Sequence, residues 1–170
     1  MCALCDGQSI EDYVRDLEDT IDRHGWALQY VASAPPSSYE EFDGCGVDPA
    51  FCYTVGLTAV GHPEIVITGR GPAESSTVLN ALGRRISVAG EVFEAGSRAW
   101  VAGFDLYFVD VMHSGEWLLM AENVYPPGAV RAVQAVWRDA TGNLPWEGDV
   151  VSTIVQPVLG PPPGWYEGDI

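Results

Sequence analysis

Lysine is absent from this sequence of 170 residues, and all eight basic side chains are arginines. Without a lysine amine the chain cannot form a Schiff base, which excludes covalent pyridoxal phosphate chemistry. Cationic charge as a whole is scarce. Twenty-four Asp and Glu stand against those eight arginines, for a net charge of −16. A surface of that sign repels phosphate, so no nucleic-acid partner is expected, and a cationic partner is drawn in instead. No apolar run approaches the roughly 18 residues that a membrane-spanning helix needs. The start, Met1-Cys2-Ala3-Leu4-Cys5-Asp6, lacks the basic and apolar regions of a secretory leader. These absences lead to the expectation of a cytoplasmic protein without membrane partners, its four cysteines reduced. Recognisable catalytic signatures are missing as well: no phosphate-binding P-loop, no dinucleotide fingerprint, no nucleophile elbow and no complete metalloprotease helix.

What is present is a globular composition, with 47% apolar and 19% charged residues. A chain of this length builds one core and needs no disulfide or metal to fold. The acids crowd toward the beginning: residues 1–43 hold ten of them against two arginines. Asp12, Asp16, Asp19 and Asp22 recur at roughly helical spacing, the pattern of a solvated helix face.

Helix and strand periods lay out the elements. Ser9, with Asp12 three residues on, predicts the capped start of a helix. Ile10, Tyr13, Val14, Leu17 and Ile21 give it an apolar stripe, and Gly25 ends it. Trp26 to Val31 reads as a strand, broken by Ala34-Pro35-Pro36, with a surface loop to Pro49. Phe51–Leu57 and Pro63–Thr68 read as a hairpin turning at Gly61-His62. Pro72 opens a second helix, with Val78, Leu79, Leu82 and Ile86 buried. Gly90–Ala95 reads as a short strand, and Ala99–Met112 as one or two more, split near Gly103. Ser114 reads as the cap of a helix over Glu116–Val124. Val130–Arg138 fits helix and strand alike, and the turn that follows at Asp139–Gly142 favours strand. The expected fold is α+β, a mainly antiparallel sheet with about three helices, in a single domain over residues 1–156. A Pro/Gly-rich tail, 157–170, either wraps the surface or is disordered.

Met1-Cys2-x-x-Cys5-Asp6, His24-Gly25-Trp26, Tyr53-Thr54-Val55-Gly56-Leu57-Thr58 and His62-Pro63-Glu64 follow one another along the chain. They are joined later by Val133-Gln134-Ala135-Val136-Trp137-x-Asp139, Gly142, Pro145-Trp146 and Gln156-Pro157-Val158-Leu159-Gly160. In this order the chain resembles the bacterial domain of unknown function 4262 family. The resemblance implies a single-domain protein of high-GC bacteria, which suits the arginine-only composition, and it implies no activity. The long loop over Tyr39–Phe51 and the cysteines Cys45 and Cys52 depart from the family pattern.

Several residues are candidates for chemistry. Cys2-x-x-Cys5 has the spacing of half a zinc site, or of a redox thiol pair, against the alternative of two idle thiols. Further ligands would have to come from Cys45, Cys52, His24, His62 or His113. His24, at a helix C-terminus, is either a capping residue or a general base. Tyr53 lies on the strand beside Glu64, and Glu64 is the first acid in an otherwise apolar strand. Such a carboxylate sits at an exposed edge or has a raised pKa in a pocket. His62-x-Glu64 reads as a base with its orienting acid, a metal pair, or a turn histidine and an edge acid. His113 ends a strand and Glu122 stands on the next helix. Gly69-Arg70-Gly71 before a helix reads as a turn rather than an anion site. Trp137 and Trp146 bracket a turn and read as core, or as walls of an apolar pocket.

Two functions are compatible with this inventory. The first is a small acid–base enzyme, with or without a divalent metal such as zinc, acting on a small organic molecule or peptide through His24, Tyr53, Glu64 and His113. The second is an acidic, non-catalytic binding protein: an immunity or inhibitor partner of a basic protein, or a ligand-binding regulator.

Overall fold

Six strands form one sheet in the order β1-β2-β3-β6-β5-β4 in the computed structural model, which describes residues 7–32 and 50–163. The chain runs α1 (Ile10–His24), β1 (Ala27–Val31), β2 (Phe51–Val55), a 3-10 turn (Leu57–Val60), β3 (Glu64–Thr68) and α2 (Pro72–Ser87). It continues with β4 (Arg98–Val101), β5 (Phe104–Asp110), α3 (Ser114–Trp117), α4 (Leu119–Val124), β6 (Ala132–Trp137) and α5 (Val150–Val155). Neighbouring strands are antiparallel except β3 and β6, which run parallel. The α+β class, the single domain and the mainly antiparallel sheet expected from sequence are therefore present.

The local signals act as their chemistry requires. Ser9 Oγ accepts the Asp12 N–H at 3.1 Å, satisfying one of the free donors at the start of α1. Gly25 takes the left-handed conformation (φ 93°) and returns its N–H to Ile21 O at 2.7 Å. Val78, Leu79, Leu82 and Ile86 of α2 pack on Ile65, Ile67, Val133 and Ala135, closing one face of the sheet. On the other face Tyr53, Val55 and Val66 meet Leu118 and Ala121, with Ile21 of α1 against them.

Several expectations need correction. The described residues hold five α-helices where about three were expected. The helix over Glu116–Val124 is two short helices hinged at Leu118 (ψ 57°), and His113 rather than Ser114 occupies the cap position. Gly90–Ala95 is not a strand. Phe93 is buried there against Phe108, and its N–H is held by His62, so packing rather than a ladder orders the segment. Helix α5 was not anticipated. The Phe51–Thr68 hairpin is present, but a 3-10 turn joins its strands ahead of Gly61.

Residues 157–160, read as the beginning of a tail, lie along the sheet. Thr68 Oγ1 and Gln134 Nε2 donate to Pro157 O at 2.8 Å each, and Leu159 N donates to Gln134 Oε1 at 2.8 Å. Gln156 behaves as a surrogate strand residue, since its amide takes the Trp137 N–H at 2.8 Å and gives to the Trp137 carbonyl at 2.7 Å. Residues 164–170 lie outside the described residues.

Candidate functional site

Glu64 is the most constrained ionisable group in the described structure. It is 0% exposed, and its carboxylate accepts five hydrogen bonds. Oε1 takes Gly56 N at 2.9 Å, Thr58 N at 3.0 Å and Thr58 Oγ1 at 2.8 Å. Oε2 takes Thr54 Oγ1 at 2.6 Å and Leu57 N at 3.3 Å. The three backbone donors head the 3-10 turn, where N–H groups have no partner within the helix. Thr54 Oγ1 also accepts the Ile65 N–H at 2.9 Å, which joins β2 to β3 through a side chain. Burial pushes the Glu64 carboxyl up from its ordinary value, and the bonds from Thr54, Thr58 and Gly56 pull it back. Neither an exposed edge nor an open pocket describes this acid: it is the internal tie of the β2–β3 connection.

Tyr53 is 1% exposed, and its hydroxyl accepts Met120 N at 3.0 Å, fastening α4 to the sheet. Burial raises its phenol well above the usual value. Tyr125 is half-buried nearby; burial first, and then the Glu64 charge, push its phenol up to about 12. His62 does not pair with Glu64. Its Nε2 accepts Phe93 N at 2.9 Å, which leaves Nδ1 as the N–H that donates to Pro63 O at 2.6 Å. The ring is thereby held as a neutral clamp on the 91–95 segment.

His24 is exposed in the last turn of α1, and His113 is exposed ahead of α3 with φ 53°. Of the four residues read as catalytic candidates, Tyr53 and Glu64 are interior neighbours, while His24 and His113 sit at the surface on different elements. Cys2, Cys5 and Cys45 lie outside the described residues; Cys52 is buried, which pushes its thiol up to about 12. Among the described residues no group of three or more His, Cys, Asp or Glu is placed to hold a metal. No described helix is long and apolar enough to cross a membrane.

The remaining candidates also find places. The Arg70 guanidinium lies 3.9 Å from the Trp137 ring centroid and pairs with Glu74 at 3.0 Å, so the Gly69–Gly71 turn spends its cation internally. Trp137 and Trp146 do not wall one pocket. Trp137 lies in the α2-facing core and lines a cleft of about 130 Å³ with Pro145, Val151 and Val155. Trp146 packs edge-on against Tyr107 on the opposite face.

With this geometry, the family model for the domain of unknown function DUF4262 matches residues 20–151. The chain belongs to this family. The DUF4262 match begins in the last turns of α1 and ends in α5, so it includes the whole sheet, the Glu64 tie and the His62 clamp. Cys2-x-x-Cys5 and Gln156–Gly160, which contribute to the resemblance seen in sequence, fall outside the matched span. No curated protein and no solved structure matches the chain.

The tie around Glu64 was half legible. An acid within an apolar strand marks a special environment, and Thr54-Val55-Gly56-Leu57-Thr58 supplies short donors just before it. That those donors close on the carboxylate is decided by the 3-10 turn, which has no signal of its own.

Proposed function

We propose that this DUF4262 protein is a non-catalytic binding protein that docks a cationic partner, a basic protein surface or peptide, on the outer face of α1. One observation carries the reading. The helix turns Leu17 and Ile21 toward the sheet, while Glu11, Asp12, Asp16, Glu18, Asp19 and Asp22 all stand on its solvent side. Arg15, bound to Asp12 at 3.2 Å, and the exposed Arg23 in the last turn offset two of these six charges and leave the face acidic. Clustered carboxylates of one sign raise the local potential and steer a cation toward it. The placement of the proton-transfer groups points the same way. Glu64 already accepts five donors, and a substrate would have to open the 54–58 turn to reach it.

The test is binding of a nona-arginine peptide, followed by calorimetry, to the native protein and to two variants of equal net charge. One carries Glu18→Lys with Asp22→Lys on α1; the other carries Glu94→Lys with Asp110→Lys, away from it. The proposal expects binding that weakens with salt, as interactions between exposed charges do, and a loss of about tenfold or more confined to the α1 variant. Equal losses in both variants would reduce the protein to a general polyanion and overturn the reading.

A further inference from the structure

One described cavity lies where α1 meets β1 and α2. It is a groove of about 470 Å³ between the end of α1, the start of β1 and α2, lined by Thr20, His24, Trp26, Leu28, Asn80 and Arg84. At 3.6 residues per turn, Thr20 and His24 fall on the side of α1 opposite Glu11, Glu18 and Asp22. The groove borders the acidic face proposed for a cationic partner, since Asp12 and Asp16 lie on the same i, i+4 row as Thr20 and His24, but none of the face's carboxylates lines it.

Its charge runs against that of the molecule. In a chain with three acids for every arginine, no carboxylate lines this groove among the described residues. Arg15, Arg70, Arg85 and Arg138 are held in ion pairs. The Arg84 side chain is exposed and has no ion-pair or hydrogen-bond partner among the described residues, and neither has that of His24. Asn80 spends its carbonyl Oδ1 on the Trp26 indole N–H at 3.0 Å, and its amide N–H groups have no acceptor among the described residues. Thr20 gives its hydroxyl proton to Asp16 O at 2.9 Å.

The apolar wall is fixed in position. The half-buried Trp26 ring lies so close on Gly83 that a Cβ there would come within 2.5 Å of it, and the bond to Asn80 fixes its rotation. A planar guanidinium, an amide and an imidazole beside a rigid indole are the parts of a site for a flat anion. Arginine matches the geometry of a carboxylate through two parallel bonds, and the indole offers a face or edge to a conjugated body.

We propose that this groove binds a small organic carboxylate carried on a flat aromatic or conjugated body. The body lies against Trp26 and Leu28, and the carboxylate is held by Arg84 with Asn80 and His24.

The probe is 2-naphthoate, added to the full chain while the Trp26 indole N–H resonance is followed by ¹⁵N NMR. Saturable displacement of that resonance is expected. The neutral analogue 2-naphthamide should bind about tenfold more weakly, the effect of losing one charge-assisted contact. Arg84→Gln should weaken 2-naphthoate by a similar factor, and the exposed control Arg131→Gln should leave it unchanged. Among the described residues the Arg84 guanidinium has no ion-pair or hydrogen-bond partner, so the variant is expected to fold as the native chain does; His24→Gln is a second surface variant expected to weaken binding less. Absence of a saturable shift, equal binding of acid and amide, or equal effects of the Arg84 and Arg131 variants would each overturn the proposal.

Discussion

At the scale of single residues, the group that governs the β2–β3 connection is a carboxylate that touches no solvent. Replacing Glu64 with Gln conserves its size and removes its charge, but it puts an NH2 group where one oxygen now accepts. That oxygen, or its neighbour, faces donors from Thr54, Thr58 and three backbone amides. At least one buried donor then loses its acceptor, so Glu64→Gln is expected to destabilise by about 2–4 kcal/mol, measured by urea denaturation. A change under about 0.5 kcal/mol, the size of an ordinary surface substitution, would mean that the tie contributes nothing. Cys52 gives a second residue-scale prediction. Its thiolate forms only toward about 12, because burial disfavours the charge, and the thiolate is the reactive species. The native protein at pH 8 should therefore leave Cys52 unmodified by iodoacetamide, and mass mapping after unfolding should find it reactive. Rapid native labelling at Cys52 would contradict the buried placement.

At the scale of elements, Gly83 shows contact overriding propensity. Alanine in mid-helix is ordinarily worth about 1 kcal/mol over glycine. Here the added Cβ would stand 2.5 Å from Cε2 of Trp26, and overpacking of that kind costs about 1–3 kcal/mol. Gly83→Ala is expected to lower the melting temperature and to shift the Trp26 indole resonance. A rise in melting temperature would show that the ring yields freely. The same contest explains β6. All six of its residues are buried, because it lies between β3 and β5 with both faces covered, and a strand buried on both faces loses the alternation that identifies it. The split of α3 from α4 escaped the sequence for a related reason: Leu118 is 0% exposed and belongs to the core beneath the bend, so the apolar pattern runs through the break.

At the scale of the whole molecule, the excess of negative charge opposes everything that packing achieves. A net charge of −16 on one domain stores self-repulsion that salt screens over a Debye length of about 10 Å at 0.1 M. The melting temperature should rise on going from about 10 mM to about 150 mM sodium chloride, by roughly 2–4 °C for each kcal/mol of repulsion relieved. A flat or falling trend would mean that the ion pairs of Arg85 and Arg138 outweigh the excess of acids.

Composition and periodicity by themselves determined the class of fold, the capped helix α1 with its acidic outer face, the buried stripe of α2, and most strands, because each of these is written in neighbouring residues. The family resemblance belongs there too, since it rests on ordered local motifs. Only the tertiary structure decided that Glu64 is an internal tie and His62 a clamp, that Gln156 stands in for a strand, and that Trp26 rests on Gly83 beside Arg84. Those outcomes join residues between 6 and 57 positions apart, and which distant donor meets which acceptor is settled by packing rather than by any pattern along the chain.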